Sequence, residues 1–305
     1  MPNSHEGHPD HNQHNKWIKC ISTRGSIRGV AIQAGGLVSQ MAQMHQLNGM
    51  QAMGLGELVM GSLLLASYCK PGERVNLNIR GAGQFVQGLA DAYPDGSVRG
   101  YVIPREPEQA FFGEHNELGP WGSGMMSVLR AKSEPGAQPY IGTVPLVTGH
   151  LAKDLTFYWT QSEQVPSAVG LAVNVRGNEV VAAAGFLVQA MPEATAEEVK
   201  AIEKHVHEIQ SLANYISHDS DPVQLLSQIF QDSSFLLIDE KPLQFRCTCS
   251  RERAEKALIL SGAEELRDIL AKEGKTEVNC DFCTNKYEMS REDLERLLAG
   301  KKNGS

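Results

Sequence analysis

The stretch RCTCSRER at residues 246–253 is followed by VNCDFC at residues 278–283, so Cys247-Thr-Cys249 and Cys280-Asp-Phe-Cys283 stand with 30 residues between them. Four of the six cysteines fall in these two pairs. In a reducing compartment such spacing points to a metal site rather than to structural disulfides. Four thiolates suit zinc, which takes sulfur at about 2.3 Å in a tetrahedral set, and a set completed by protein leaves no position for a substrate. The expected ligands are Cys247, Cys249, Cys280 and Cys283, holding one Zn2+ per chain in the reduced state, with no hydrolytic chemistry. Two readings of that zinc stay open at this point. It can simply stabilise a small fold, or it can act as a switch, because the Cys-x-Cys pair is tighter than an ordinary zinc knuckle and each pair can close on itself once the metal leaves.

Working outward, the segment between the pairs carries helix starts at Ser250, at Ser261 with Glu264, the latter helix ending at Gly274; Ser290 with Asp293 caps a third helix. Upstream, residues 193–240 hold 2 Lys+Arg against 10 Asp+Glu, which accounts for the whole net charge of −8. Val199, Ile202, Val206, Ile209, Leu212 and Ile216 nevertheless recur every three or four residues, one amphipathic stripe entered through a capping box of Thr195 and Glu198. Asp221-Pro222 begins a second, short helix through Phe230. Like-charge repulsion and short length are expected to make this the least stable part of the fold, helical only while its stripe is covered, with the zinc domain beside it as the expected stabiliser of that cover.

Before residue 193 the pattern changes: 25 of the 29 glycines lie there. Val75–Ile79 alternates apolar residues with Asn, Val98–Ile103 is β-branched and aromatic, and Ala168–Val175 and Glu179–Val188 flank the turn Arg176-Gly177-Asn178. One helix is expected from Gly56 to Cys69. Another, entered at Thr148, sets Leu151, Leu155, Tyr158 and Trp159 on one side. The fold class is therefore α+β: an antiparallel-sheet core domain over 16–192 behind a disordered His-rich leader (1–15), an acidic helical linker (193–240) and a small zinc-binding domain with four cysteine ligands (241–305).

Composition narrows the function. At 41% hydrophobic and 21% charged residues the chain of 305 is an ordinary globular one. No segment has the basic surplus that phosphate backbones demand, so nucleic acid is not an expected partner. The longest apolar stretch, Val180–Val188, falls short of the ~20 residues of a membrane span, and the polar leader is unlike a secretory one, which places the chain in the cytoplasm without a membrane partner. Gly81-Ala-Gly83 and Gly122-Ser-Gly124 lack a phosphate-loop continuation and read as turns, so no nucleotide site is expected. Cys20 and Cys69 sit among apolar neighbours and read as packed thiols; Met41, Met44, Met50, Met53 and Met60 read as core filling, and His5, His8, His11 and His14 as part of the leader.

RCTCSRER, with VNCDFC and Tyr287 four residues on, resembles the zinc-binding end of the bacterial redox-regulated chaperone family, the 33-kilodalton heat-shock proteins. Gly96-Ser-Val-Arg-Gly100, Pro145-Leu-Val-Thr-Gly149 with Asp154-Leu155, Ser162-Glu-Gln-Val-Pro-Ser167, and Gly185-Phe-Leu-Val-Gln189 with Pro192 resemble its core segments. His150 and Lys153 depart from the acidic residues expected there. The resemblance implies a non-enzymatic, ATP-independent holdase, inactive while reduced and zinc-bound. Oxidation then forms Cys247–Cys249 and Cys280–Cys283 disulfides, releases zinc, unfolds the linker and yields a homodimer that binds unfolded client proteins. Two other classes stand beside it. A thiol–disulfide oxidoreductase would use Cys280 and Cys283, though these do not open a helix of a βαβ unit; a zinc-ribbon adaptor for RNA or protein would be non-redox.

Overall fold

Gly177 and Asn178 turn the chain between β8 (Ser167–Arg176) and β9 (Glu179–Ala190), with Gly177 at φ 62°, the left-handed conformation that a tight hairpin demands. These strands complete a five-stranded antiparallel sheet in the order β10-β1-β2-β9-β8, with β1 (Lys16–Ser22), β2 (Ile27–Gln33) and β10 (Phe235–Pro242). The computed structural model describes residues 15–106, 118–132, 136–209, 211–216, 220–231 and 233–302. Two compact units emerge, Met1–Arg246 and Cys247–Ser305. The histidines of the leader, His5 to His14, lie outside the described residues.

The second sheet of the first unit runs β11-β5-β4-β3-β6-β7, built from β3 (Glu73–Gly81), β4 (Phe85–Ala92), β5 (Ser97–Pro104), β6 (Gly124–Lys132), β7 (Tyr140–Leu146) and the short β11 (Gln244–Phe245). Val75, Leu77 and Ile79 face the core while Asn76 and Asn78 face away, the period of two that the sequence displays. Between the sheets lies α2 (Gly49–Ala66), packed beside α1 (Gly35–Met44) and α3 (Leu151–Gln161), with Leu55, Leu58, Met60, Leu63 and Leu64 fully buried. Helix α2 starts seven residues earlier than the sequence pattern suggests, at a capping box in which Asn48 and Gln51 exchange side-chain-to-backbone bonds. Its glycines disguise that start, yet they have a packing role: a Cβ on Gly54 would enter the Phe85 ring, and one on Gly56 would stand 2.7 Å from a Val173 methyl. By length and composition α2 could cross a membrane, but it is the buried core helix of this unit.

The acidic segment folds against the outer face of the five-stranded sheet. It forms α4 (Ala196–Glu208), the single turn α5 (Leu212–Tyr215) and α6 (Pro222–Ile229), and the Thr195–Glu198 capping box and the Asp221 N-cap are both present. Ile202, Leu212, Ile216, Leu225, Leu226, Ile229 and Phe230 are buried there against Ile18, Cys20, Ala31, Phe186 and Val188. The stripe is thus covered by the five-stranded sheet of its own unit, which is possible because β1, β2 and β9 are apolar on both faces. Residues 235–242 and 244–245, apportioned by the sequence to the linker and the zinc domain, are strands paired to β1 and β5.

Unit two is small. Helices α7 (Arg251–Ser261), α8 (Ala263–Lys272) and α9 (Arg291–Lys302) surround the hairpin β12 (Thr276–Asn279) and β13 (Lys286–Met289), over a core of Ala254, Leu266, Met289 and Leu294. Ser250 accepts the Arg253 amide, and Ser290 and Asp293 exchange reciprocal bonds, as their spacing predicts. Ser261 does not cap α8: its hydroxyl turns back to the Leu258 carbonyl, and the corner is made by Gly262 at φ 114°, a conformation closed to serine.

Candidate metal centre

Cys247 and Cys249 lie on the extended segment that enters α7, where Ser250 fixes the start of the helix. Cys280 and Cys283 occupy the turn between β12 and β13. There the Cys280 amide donates to the Asn285 carbonyl at 2.9 Å, and the Cys280 carbonyl accepts the amides of Cys283 (3.3 Å) and Thr284 (2.8 Å), so the chain doubles back and both sulfurs point to one side. Helix capping and hairpin pairing, both local, therefore aim the two arms. All four sulfurs lie within 4.8 Å of one another. Cys249 Sγ lies 3.3 Å from Cys283 Sγ and Cys247 Sγ 3.7 Å from Cys280 Sγ, each pair joining one arm to the other. Sulfurs bound at about 2.3 Å to a tetrahedral ion stand about 3.8 Å apart, so the donor set fits zinc in number, element and spacing.

The thiols hold their protons unequally. Burial pushes Cys280 and Cys283 up, against amide hydrogen bonds from Phe282 and Cys283 to the first and from Asn285 to the second. At Cys249 burial acts in the same upward sense, but the Tyr287 hydroxyl and the neighbouring thiols outweigh it and bring the group down to about 7. Deprotonating all four places four negative charges within a few ångströms, which only a bound cation can compensate. Among the described residues no other group of three or more His, Cys, Asp or Glu side chains gathers its ligand atoms this way.

The four cysteines expected as ligands are thus brought together, whereas their spacing assigned no role to Tyr287. Tyr287 projects from β13 and donates its hydroxyl to Cys249 Sγ at 3.1 Å. Cys280 and Cys283 sit in a hairpin turn and not at a helix start, unlike the pair of a thiol oxidoreductase. Cys20 is fully buried, its thiol pushed up to about 12 by burial, and Cys69 is pushed up to about 11 for the same first reason. Both lack the depressed value of a reactive thiol. The Pro145–Gly149 run and Asp154 prove to be scaffold: one carboxylate oxygen of the buried Asp154 accepts the amides of Val147 and Thr148 and the Thr148 hydroxyl, fixing the entry to α3.

Comparison with known proteins agrees over the length of the chain. The family model described as "Hsp33 protein" matches residues 15–290. A "33 kDa chaperonin" of Bacillus mycoides is 32% identical over 292 residues, covering 92% of this chain and 97% of the relative, and that of Bacillus cytotoxicus is 31% identical over 287. The crystal structure of the 33 kDa chaperonin of Thermotoga maritima superposes with a TM-score of 0.83 at 30% identity, covering 95% of this chain and all of the other. With a shared fold across nearly its whole length and a sequence matched from residue 15 to residue 290, this chain belongs to the Hsp33 family of chaperones.

Proposed function

We propose that this protein is a redox-regulated, ATP-independent holdase of the cytoplasm, silent while its four cysteines hold one zinc ion and active once they are oxidised. The carrying observation is the single cluster of four sulfurs, among the described residues, in a unit whose apolar core is small. Structural zinc contributes roughly 10–16 kcal/mol in small peptides, against about 5–15 kcal/mol for the net stability of a whole domain. Loss of the metal therefore suffices to unfold residues 247–302.

Bound zinc supplies charge compensation and cross-linking, and the remaining chemistry belongs to the thiolates. With peroxide as oxidant, the Cys247 and Cys249 thiolates and two protons give one disulfide and two waters, and Cys280 and Cys283 do the same with a second peroxide. All four sulfurs that would hold Zn2+ are thereby tied up as disulfides, and Cys247, Cys249, Cys280 and Cys283 would no longer offer thiolate ligands. The linker, acidic and short, then opens and bares Ile202, Leu212, Leu226 and Phe230 to unfolded clients, which need no nucleotide to bind. Dimerisation of the oxidised chain belongs to the same proposal.

Zinc release on peroxide treatment, followed by suppression of the aggregation of a thermally unfolding client without ATP, tests the reading. Equal protection by the reduced, zinc-loaded protein at the same concentration would overturn thiol regulation.

A further inference from the structure

Zinc thiolates are tuned by the hydrogen bonds they accept, and in this unit the two arms obtain those bonds differently. On the Cys-x-x-Cys arm the donors are backbone: the amides of Phe282 and Cys283 serve Cys280, and that of Asn285 serves Cys283. A turn that doubles back on its first sulfur provides such donors automatically. The Cys-x-Cys arm is one residue too short for this turn and runs extended into α7. Its donor to Cys249 is instead a side chain from the other arm, the Tyr287 hydroxyl at 3.1 Å.

Several features fix that hydroxyl. Tyr287 pairs with Val278 across the β12–β13 hairpin, in the register that also sets Asn279 opposite Lys286 immediately before Cys280. The Tyr287 ring packs on the small core of Ala254, Leu266, Met289 and Leu294. A phenol so anchored cannot follow the Cys249 sulfur if the arm swings away. It therefore ties the Cys-x-Cys arm to the hairpin through Cys249.

We propose that Tyr287 is a positioning residue for the metal: its hydroxyl orients Cys249 Sγ toward the other three sulfurs, drains electron density from that thiolate, and pins the Cys-x-Cys arm to the hairpin. The inference rests on the zinc reading above and adds to it a residue that is not a ligand. Phenylalanine at 287 keeps the ring and its packing while removing only the donor.

The test uses the full-length reduced protein, loaded with Zn2+ for chelator competition and with Co2+ for spectroscopy. Tyr287→Phe is expected to weaken zinc binding about 10- to 100-fold and to move the sulfur-to-cobalt charge-transfer band to lower energy, as a more electron-rich thiolate requires. Val278→Ala, which trims the same core and leaves the hydroxyl, is the control and is expected to leave the band in place. Unchanged affinity and spectrum in Tyr287→Phe, or the same changes in Val278→Ala, would overturn the inference while leaving the zinc reading intact. A parent protein that binds neither ion would remove both.

Discussion

Glu198 Oε1 accepts the Ser26 hydroxyl at 2.9 Å, a bond between residues 172 positions apart in the chain. The same carboxylate closes the capping box of α4 through the Thr195 amide, and Arg24 stands 3.8 Å away. Helix α4 is thereby clasped at its first turn to the turn between β1 and β2. On the edge strand β8, the Asn174 side-chain amide donates to the Ala213 carbonyl at 2.6 Å and to that of Ile216 at 3.4 Å, clasping α5.

Breaking either clasp should loosen the linker while the cysteine cluster stays whole. Asn174→Ala removes two bonds to backbone carbonyls, each worth about 1 kcal/mol net. Hydrogen exchange in the reduced, zinc-loaded variant is expected to quicken across residues 211–216. Protection equal to that of the parent would show that the clasp is dispensable.

Acidification should act on the other clasp. The Thr195 amide, then the Ser26 hydroxyl, hold the Glu198 carboxyl below its ordinary value of 4.5. A depressed folded value means that the contribution is present above pH 4.5 and vanishes as pH falls through the lower one. Glu198→Gln should therefore loosen α4 at about pH 7 and differ less from the parent at a pH well below 4.5. Exchange rates over residues 196–208 at the two pH values decide this.

Phe230 tests the apolar part of the cover. Its ring and a Leu226 methyl approach Gly29 so closely that a Cβ there would lie 3.1 and 3.2 Å from them, with Cys20 Sγ at 3.0 Å. Truncating a buried phenylalanine costs about 3–5 kcal/mol. In a segment of low intrinsic stability this should release α6, so that reduced Phe230→Ala binds an apolar dye and an unfolding client without peroxide. A variant as silent as the parent would place the client surface elsewhere.

Glu57 makes a prediction independent of the metal. Burial in the apolar helix α2 pushes its carboxyl up to about 7 from 4.5. The folded state then keeps a proton that the unfolded state loses, so stability falls as pH rises from 4.5 to about 7 and the cost is complete above that. Glu57→Gln should be more stable than the parent at about pH 8, by about 1–3 kcal/mol, and close to it at about pH 4. Thermal unfolding of the first unit at both pH values measures the difference.

Replacing a ligand should separate metal binding from the fold of the first unit. Cys280→Ser leaves three sulfurs, and zinc content is expected to fall well below one equivalent. Residues 247–302 should then lose their helical signal while the two-sheet core of the first unit keeps its protection. Full zinc retention by this variant would remove Cys280 from the site.

What the sequence determined alone is whatever depends on neighbours a few positions apart. The two cysteine pairs, the Gly177-Asn178 hairpin, the Thr195–Glu198 box, the Asp221-Pro222 start and the Ser290–Asp293 exchange are each complete within about four residues, so spacing and side-chain chemistry suffice to specify them. Alternation in Val75–Ile79 likewise announced a strand with one buried face. Tertiary structure decided everything that closes over distance. It set the glycines of α2 against Phe85 and Val173, and it drew residues 235–242 and 244–245 into the sheets through pairing with β1 and β5. It covered the linker stripe with the five-stranded sheet, and it brought Tyr287 to Cys249, 38 positions away. Residues that distant meet only through the summed packing of the intervening elements, so no local pattern in the chain records which partner each will find.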